Sequence, residues 1–176
     1  MPRVRRITIK TFAQNGYLIN EDGRYRIGLR FVAYGEQTRN QWQIYETAKP
    51  ELKNLAVETG DFANLLVEEN GYGFYIYRTK GDRSATSHQY IGGHVGERVP
   101  LYASAPGKAI LAHLGPERME EILDRQGMHR LTEATVQQRE VLYDELESIR
   151  QTGVAFDDEE YTDGLRSVAA PIKWLY

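Results

Sequence analysis

Two stretches of this chain carry residue types that could do chemistry. The first is "SAPGKAILAHL", residues 104–114, where Gly107 and Lys108 stand at the head of a helical run. A helix N-terminus presents unsatisfied amides and the positive end of the helix dipole, so it can receive a carboxylate or another small anion. A nucleotide phosphate loop is not formed: that pattern needs a glycine five residues before Gly107 and Ser or Thr after the lysine, and the chain has Tyr102 and Ala109 there. The plain reading is that Ser104 caps the helix. The second stretch is "FDDEEYTDGLRSVAAPI", residues 156–172. Such an acidic run is commonly a solvated strand end. The period-2 pleat of flanking strands would nevertheless aim Asp157 and Ser167 toward the Ser104 helix, gathering a carboxylate, a hydroxyl and helix amides around a small polar ligand.

Catalytic readings of the same residues are weaker. Ser104 with Lys108, or Ser167 with Asp157, could be read as nucleophile and base, but neither pair has a catalytic spacing. His88, His94, His113 and His129 show no metal-ligand spacing, although His88 and His94 could face one another across a glycine kink. No metal, no cofactor and no enzymatic activity are expected.

Composition narrows the class. The 176 residues suffice for one medium domain with a small appendage. Cysteine is absent, which removes disulfides and thiol chemistry. No signal peptide opens the chain and no apolar run approaches the roughly 18 residues of a membrane helix, so a cytoplasmic protein without membrane partners is expected. The net charge of −3 is unevenly spread: the first 30 residues hold seven basic against two acidic groups, leaving fifteen against 23 for the rest. The basic N-terminal region, with Arg3, Arg5, Arg6, Lys10, Arg24 and Arg26, is the part that could meet a phosphate backbone.

The elements that must position these residues follow from periodicity and punctuation. Residues 4–15 predict a short basic helix stopped by Gly16, and Asp22-Gly23 predicts a hairpin. Residues 29–60 read as helix in one piece or two, with Trp42, Tyr45, Leu52, Leu55 and Ala56 as apolar anchors and Pro50 as the kink or the new start. "FANLLVEE" and "GFYIYRT" predict an antiparallel pair joined at Asn70-Gly71. Residues 88–102 predict a glycine-broken strand, 117–126 and 138–151 amphipathic helices, and 165–176 a last strand. This order predicts an α+β fold with helices packed on a mixed sheet.

At this point the residues carry a resemblance. "VPLYASAPGKAILAHL", "LTEATV" and "LYDELESIRQTGVAFDDEEYTDGLRSVAAPI" resemble, in order and spacing, the effector-binding domain of the isocitrate lyase regulator (IclR) family of transcription factors. "FAQNGYLINEDGRYRIGLRFVAYG" is similar to the end of that family's winged helix-turn-helix. The resemblance implies a GAF/profilin-like α+β domain with a mixed, mainly antiparallel sheet over residues 46–176, C-terminally incomplete. It implies a partial winged helix-turn-helix over 1–29 and a linker and dimerisation helix over 30–45. It further implies a DNA-binding regulator, dimer or tetramer, controlled by a small organic-acid effector. By the same resemblance Ala105, Pro106, Gly107, Asp157 and Ser167 contact the effector. Two departures stand out: Pro106 deletes an amide, and Ser167 replaces a common cysteine. The alternative is a ligand-binding and dimerisation module without specific DNA binding. For oligomerisation the apolar residues Phe31, Val32, Tyr34, Trp42 and Tyr45 are expected to be exposed.

Overall fold

The computed structural model describes residues 3–83 and 93–173, with side chains from Thr8 onward. The chain divides into two compact units, residues 1–48 and 49–176. Within the first unit, helix α1 (Arg3–Gln14) leads into strands β1 (Leu18–Glu21) and β2 (Arg24–Ile27), followed by helix α2 (Arg30–Asn40). The hairpin forms as expected: Asp22 and Gly23 both take positive φ (51° and 86°), which suits the right-handed twist of the paired strands. With so few residues the unit gathers around one ring. Tyr17 packs edge-on against Phe12 and Phe31, each at 5.4 Å between centroids, stacks on Tyr34 at 5.8 Å, and lies under the Arg30 guanidinium at 5.1 Å.

The helix expected over 30–45 is interrupted. Helix α2 ends at Asn40, and α3 (Gln43–Thr59) begins after Gln41 and Trp42, whose amides bond back three residues to Thr38 and Arg39 carbonyls. This tightening, and not Pro50, breaks the helix; Pro50 lies inside α3. Tyr45, expected to be exposed, is 4% exposed, because Arg39 lies over its ring at 5.1 Å.

In the second unit, β3 (Phe62–Glu69) and β4 (Tyr72–Lys80) form an antiparallel pair with a register shift between Leu65 and Leu66. Ala63, Leu65 and Val67 alternate inward, the period of a half-buried strand. The glycine-broken strand is shorter than expected: only β5 (Arg98–Pro100) pairs with β4, residues 84–92 lie outside the described ones, and Leu101–Ala103 closes into a 3₁₀ turn. Pro100 cannot donate to a ladder, so extension stops there. Helix α4 (Ala105–Leu111) follows, then α5 (Pro116–Gln126), α6 (Arg139–Thr152), and strands β6 (Ala155–Asp158) and β7 (Arg166–Ala169). The last strand ends well before residue 176, at the approach to Pro171, and residues 174–176 lie outside the described ones.

The core of this unit is where the amphipathic stripes meet. Met119, Ile122 and Leu123 of α5 and Leu142, Leu146 and Ile149 of α6 recur at helical spacing and bury against Leu101, Leu111 and Ala109. Each such side chain contributes about 1.5–3 kcal/mol of burial. Gly153, at φ 76°, ends α6 with its amide on the Ile149 carbonyl. The fold is α+β as expected. Every pairing among the described residues is antiparallel, and the strands form three separate sheets, β1–β2, β3–β4–β5 and β6–β7. Helix α4 packs against both β6 and β7. Among the described residues no helix is long and apolar enough to cross a membrane.

Candidate functional site

The turn before α4 is set by one serine. Ser104 Oγ accepts the Gly107 amide at 3.3 Å, and the Ser104 carbonyl accepts the Lys108 amide at 2.8 Å. Pro106, at a position where the missing amide is an orphan anyway, pre-sets the first turn. Ala105, Gly107 and Ala109 are buried and Pro106 is half-buried. A Cβ on Gly107 would stand 2.4 Å from the Leu101 carbonyl oxygen and 2.6 Å from Ser104 Oγ, so only glycine lets the helix start sit this close to the 3₁₀ turn.

Asp157 and Ser167 are ladder partners on β6 and β7. Asp157 is 2% exposed. Its Oδ1 accepts the amides of Glu160 at 2.8 Å and Tyr161 at 3.4 Å, and its Oδ2 accepts the Ser167 hydroxyl at 3.4 Å. Burial pushes this carboxyl above the usual aspartate range, against the pull of the two amides, the Lys108 charge and the serine. A shallow hollow of about 650 Å³ runs along this ladder, lined by Phe156, Asp157, Asp158, Arg166, Ser167 and Val168.

The acidic run is divided between inside and outside. Asp157 and Glu160 are buried, while Asp158 is exposed and paired with Arg166 at 2.5 Å. Glu159, which a solvated end would place in water, is half-buried at φ 63° and its carboxylate accepts the Gly164 amide at 2.9 Å. Glu160 was missed by sequence reasoning, and Lys108 was weighed only as a base for Ser104. The Lys108 side chain is 3% exposed, and its ammonium donates to Glu160 Oε1 at 2.6 Å and Glu145 Oε2 at 2.8 Å. Burial depresses this ammonium, and the two carboxylates more than offset it, leaving it above the ordinary lysine value. No local signal marks it: the small neighbours Ala105, Gly107 and Ala109 show a close-packed helix start but not that the lysine between them is buried.

Beside this centre, Tyr161 donates its hydroxyl to Glu97 Oε1 at 2.8 Å, while Glu97 Oε2 accepts the Gly93 and His94 amides at 2.7 and 3.0 Å. Burial and the charges of Glu97 and Asp157 push the Tyr75 phenol up to about 12.

Of the two catalytic pairs, Ser104 and Lys108 do not meet, whereas Ser167 does donate to Asp157 at 3.4 Å. Ser104 Oγ donates to the Pro100 carbonyl at 3.3 Å, and Lys108 is engaged elsewhere. Among the described residues no group of three metal-ligating side chains is found, and the reading of His88 against His94 falls partly outside them. His94 instead sits with its Nδ1 2.8 Å from Glu97. On the N-terminal unit Arg3, Arg5, Arg6 and Lys10 all belong to α1, Lys10 exposed, and Arg24 and Arg26 lie on β2. Arg26 is paired with Glu21 at 2.5 Å.

Comparison with known proteins gives a family match and three similarities. Residues 37–173 match the family described as bacterial transcriptional regulator IclR, C-terminal. The chain is 32% identical over 166 residues to the HTH-type transcriptional regulator XynR of Escherichia coli, covering 93% of this chain and 64% of XynR. It is similar to the crystal structure of Thermotoga maritima IclR, with a TM-score of 0.79 at 28% identity over 98% of this chain and 69% of that one. A third similarity is to the inducer-binding domain of the Acinetobacter transcription factor PobR, a double mutant in complex with 3-hydroxybenzoic acid, with a TM-score of 0.64 and 25% identity over 72% of each chain. The chain spans 64%, 57% and 60% of the length of three curated relatives that it matches.

Proposed function

The chain belongs to the IclR family of bacterial transcriptional regulators, and on that footing we propose that it is a ligand-responsive, DNA-binding regulator of the bacterial cytoplasm and not an enzyme. The ligand is a small organic acid. It sits between the start of α4 and the β6–β7 ladder, where Asp157 accepts a hydroxyl hydrogen, Ser167 donates, and the acid group lies toward Ala105, Pro106 and Gly107. The orientation follows from charge, since Asp157 would repel a carboxylate brought close. The Gly107 amide bonds the Ser104 hydroxyl at the long distance of 3.3 Å, so a carboxylate can compete for it. The observation that carries this reading is the buried Asp157 opposite Ser167, on the two strands against which α4 packs. The PobR domain, which is similar in fold, holds a hydroxylated benzoic acid, and this supports the ligand class.

DNA contact is assigned to α1 and the β1–β2 hairpin, through Arg3, Arg5, Arg6, Lys10, Arg24 and Arg26. Self-association uses α2, where Phe31, Val32 and Tyr34 are 44%, 60% and 42% exposed. A dimer or tetramer is expected by light scattering, and a strict monomer at high concentration removes this part. The test of the whole is twofold. A calorimetric panel of hydroxybenzoates and short hydroxy and oxo acids should yield a binder whose heat is lost in Asp157→Ala. Duplex binding should weaken, with a flatter salt dependence, in Arg5→Ala/Arg6→Ala. Heat retained in the first variant, or an unchanged salt slope in the second, sinks the corresponding half.

A second reading is a ligand-binding and dimerisation module without specific DNA contact. The Arg26–Glu21 pair favours it, because that guanidinium is already neutralised within the hairpin. Selection from a random duplex pool separates the two: an enriched sequence supports the regulator, and no enrichment supports the module.

A further inference from the structure

Asp157 does not hold itself in place. Its Oδ1 is fixed by the amides of Glu160 and Tyr161, so its direction depends on the turn that carries them. That turn is clamped from four other places. Thr135 donates to the Glu160 carbonyl at 2.7 Å, Thr132 donates to the Glu159 carbonyl at 2.7 Å, and Tyr161 donates to Glu97 at 2.8 Å. The fourth clamp is Lys108, at 2.6 Å from Glu160 Oε1. It is a buried ionic one, unlike the more exposed Arg166–Glu159 pair at 3.1 Å, and it comes from α4, the helix whose first turn is proposed as the other wall of the ligand site.

We propose that Lys108 is a positioning residue for the ligand-binding carboxylate: by holding the Glu160 side chain it holds the Glu160 amide on Asp157 Oδ1, and so keeps Oδ2, with Ser167, toward the ligand. The proposal rests on the reading of Asp157 as a ligand contact. A buried ion pair is seldom worth keeping for stability alone, since apolar residues of similar size would serve as well. Removing one member alone is a different matter, because it strands the other. Glu160 Oε2 is buried without a hydrogen-bond partner, so its carboxylate depends on Lys108. Without that ammonium Glu160 must take a proton or turn toward water, and turning draws its amide off Asp157. Glu145, the second acceptor of Lys108, has a side chain 36% exposed and can be resolvated in place.

The experiment uses the full chain and needs no ligand. Hydrogen exchange of the Glu160 amide and the carbon-detected titration of the Asp157 carboxyl are measured in the parent, Lys108→Met, Lys108→Arg and Lys108→Met/Glu160→Met. The groups that act on Asp157 are Lys108 of α4, Ser167 of β7, Glu160 and Tyr161 of its own turn, and Tyr75 of β4. Of these only Lys108 changes in the single variants. In Lys108→Met the residue-160 amide should exchange about tenfold faster or more, relative to the Leu142 and Leu146 amides, as expected for a locally opened turn. The Asp157 titration should move upward, because it loses both a positive charge and its fixed donors. Lys108→Arg should restore both in part, its charge being kept and its shape changed. The double variant strands no carboxylate at residue 160 and stays testable where the single one unfolds; its residue-160 amide should return toward the parent rate, while the Asp157 titration stays raised for want of the Lys108 charge. Unchanged exchange and titration in Lys108→Met, or exchange in the double variant as fast as in a stranded single variant, overturn the proposal. The calorimetry on Asp157→Ala can fail on its own, which would remove the ligand reading and leave the clamp intact.

Discussion

The Ser167 hydroxyl lies 3.4 Å from Asp157 Oδ2, across a ladder in which the two residues are direct partners. A hydrogen bond of that length is weak, and a ligand hydroxyl can replace it at little cost. Asp157→Ala and Ser167→Ala should each weaken the binding of a small acid found by calorimetry by about two- to tenfold, the scale of one net hydrogen bond of about 0.5–1.5 kcal/mol. The control is Asp163→Ala, an exposed acid in the same turn. Glu159 is unsuitable as a control, because its carboxylate holds the Gly164 amide. Equal losses at Asp157, Ser167 and Asp163 would show a general electrostatic effect and no site.

Gly107→Ala should destabilise the second unit. The added methyl meets the backbone of Leu101 at 2.4 and 2.6 Å, and backbone cannot be moved aside by a rotamer change. A loss of about 1–3 kcal/mol or more is expected in urea unfolding. Gly115→Ala, where the new methyl meets nothing within 4 Å, should cost far less, limited to the weaker N-cap that alanine makes for α5.

Leu146→Ala removes a side chain of 0% exposure from the meeting point of α4 and α6. The expected cost is about 2–5 kcal/mol. Leu131→Ala, at a residue 44% exposed, should cost far less. Similar midpoints for the two would contradict the placement of the core.

Stability should fall at alkaline pH through Tyr75. Its phenol ionises near 12 in the folded chain and near 10 in the unfolded one, so the unfolded state loses its proton first. The contribution is complete below pH 10 and is lost as pH rises toward 12. Between those values Tyr75→Phe should unfold less steeply with pH than the parent, by about one proton's worth of slope. Parallel profiles would show that the phenol is not shielded.

Much of the framework was legible in the residues. Asp22-Gly23 and Asn70-Gly71 announced their hairpins, since few residue types accept two successive positive φ values. Ser104 announced the start of α4, and the spacing of Leu142, Leu146 and Ile149 announced the buried face of α6. These are local rules, set by the chain within a few residues. The strand period and the turn suggested that Asp157 and Ser167 lie near one another, but their direct ladder pairing came from the structure.

What the tertiary structure decided was which charges go inside. Four consecutive acids look alike in the sequence, yet Asp157 and Glu160 are buried and Asp158 is exposed. The choice is made by Thr132, Thr135, Glu97 and Lys108, which reach the turn from sequence positions far from it. In the same way Arg39 covers Tyr45 across a helix break that Pro50 would have misplaced. A buried charge is tolerated only where partners converge on it, and convergence is a property of the packed chain, which no local pattern of residues contains.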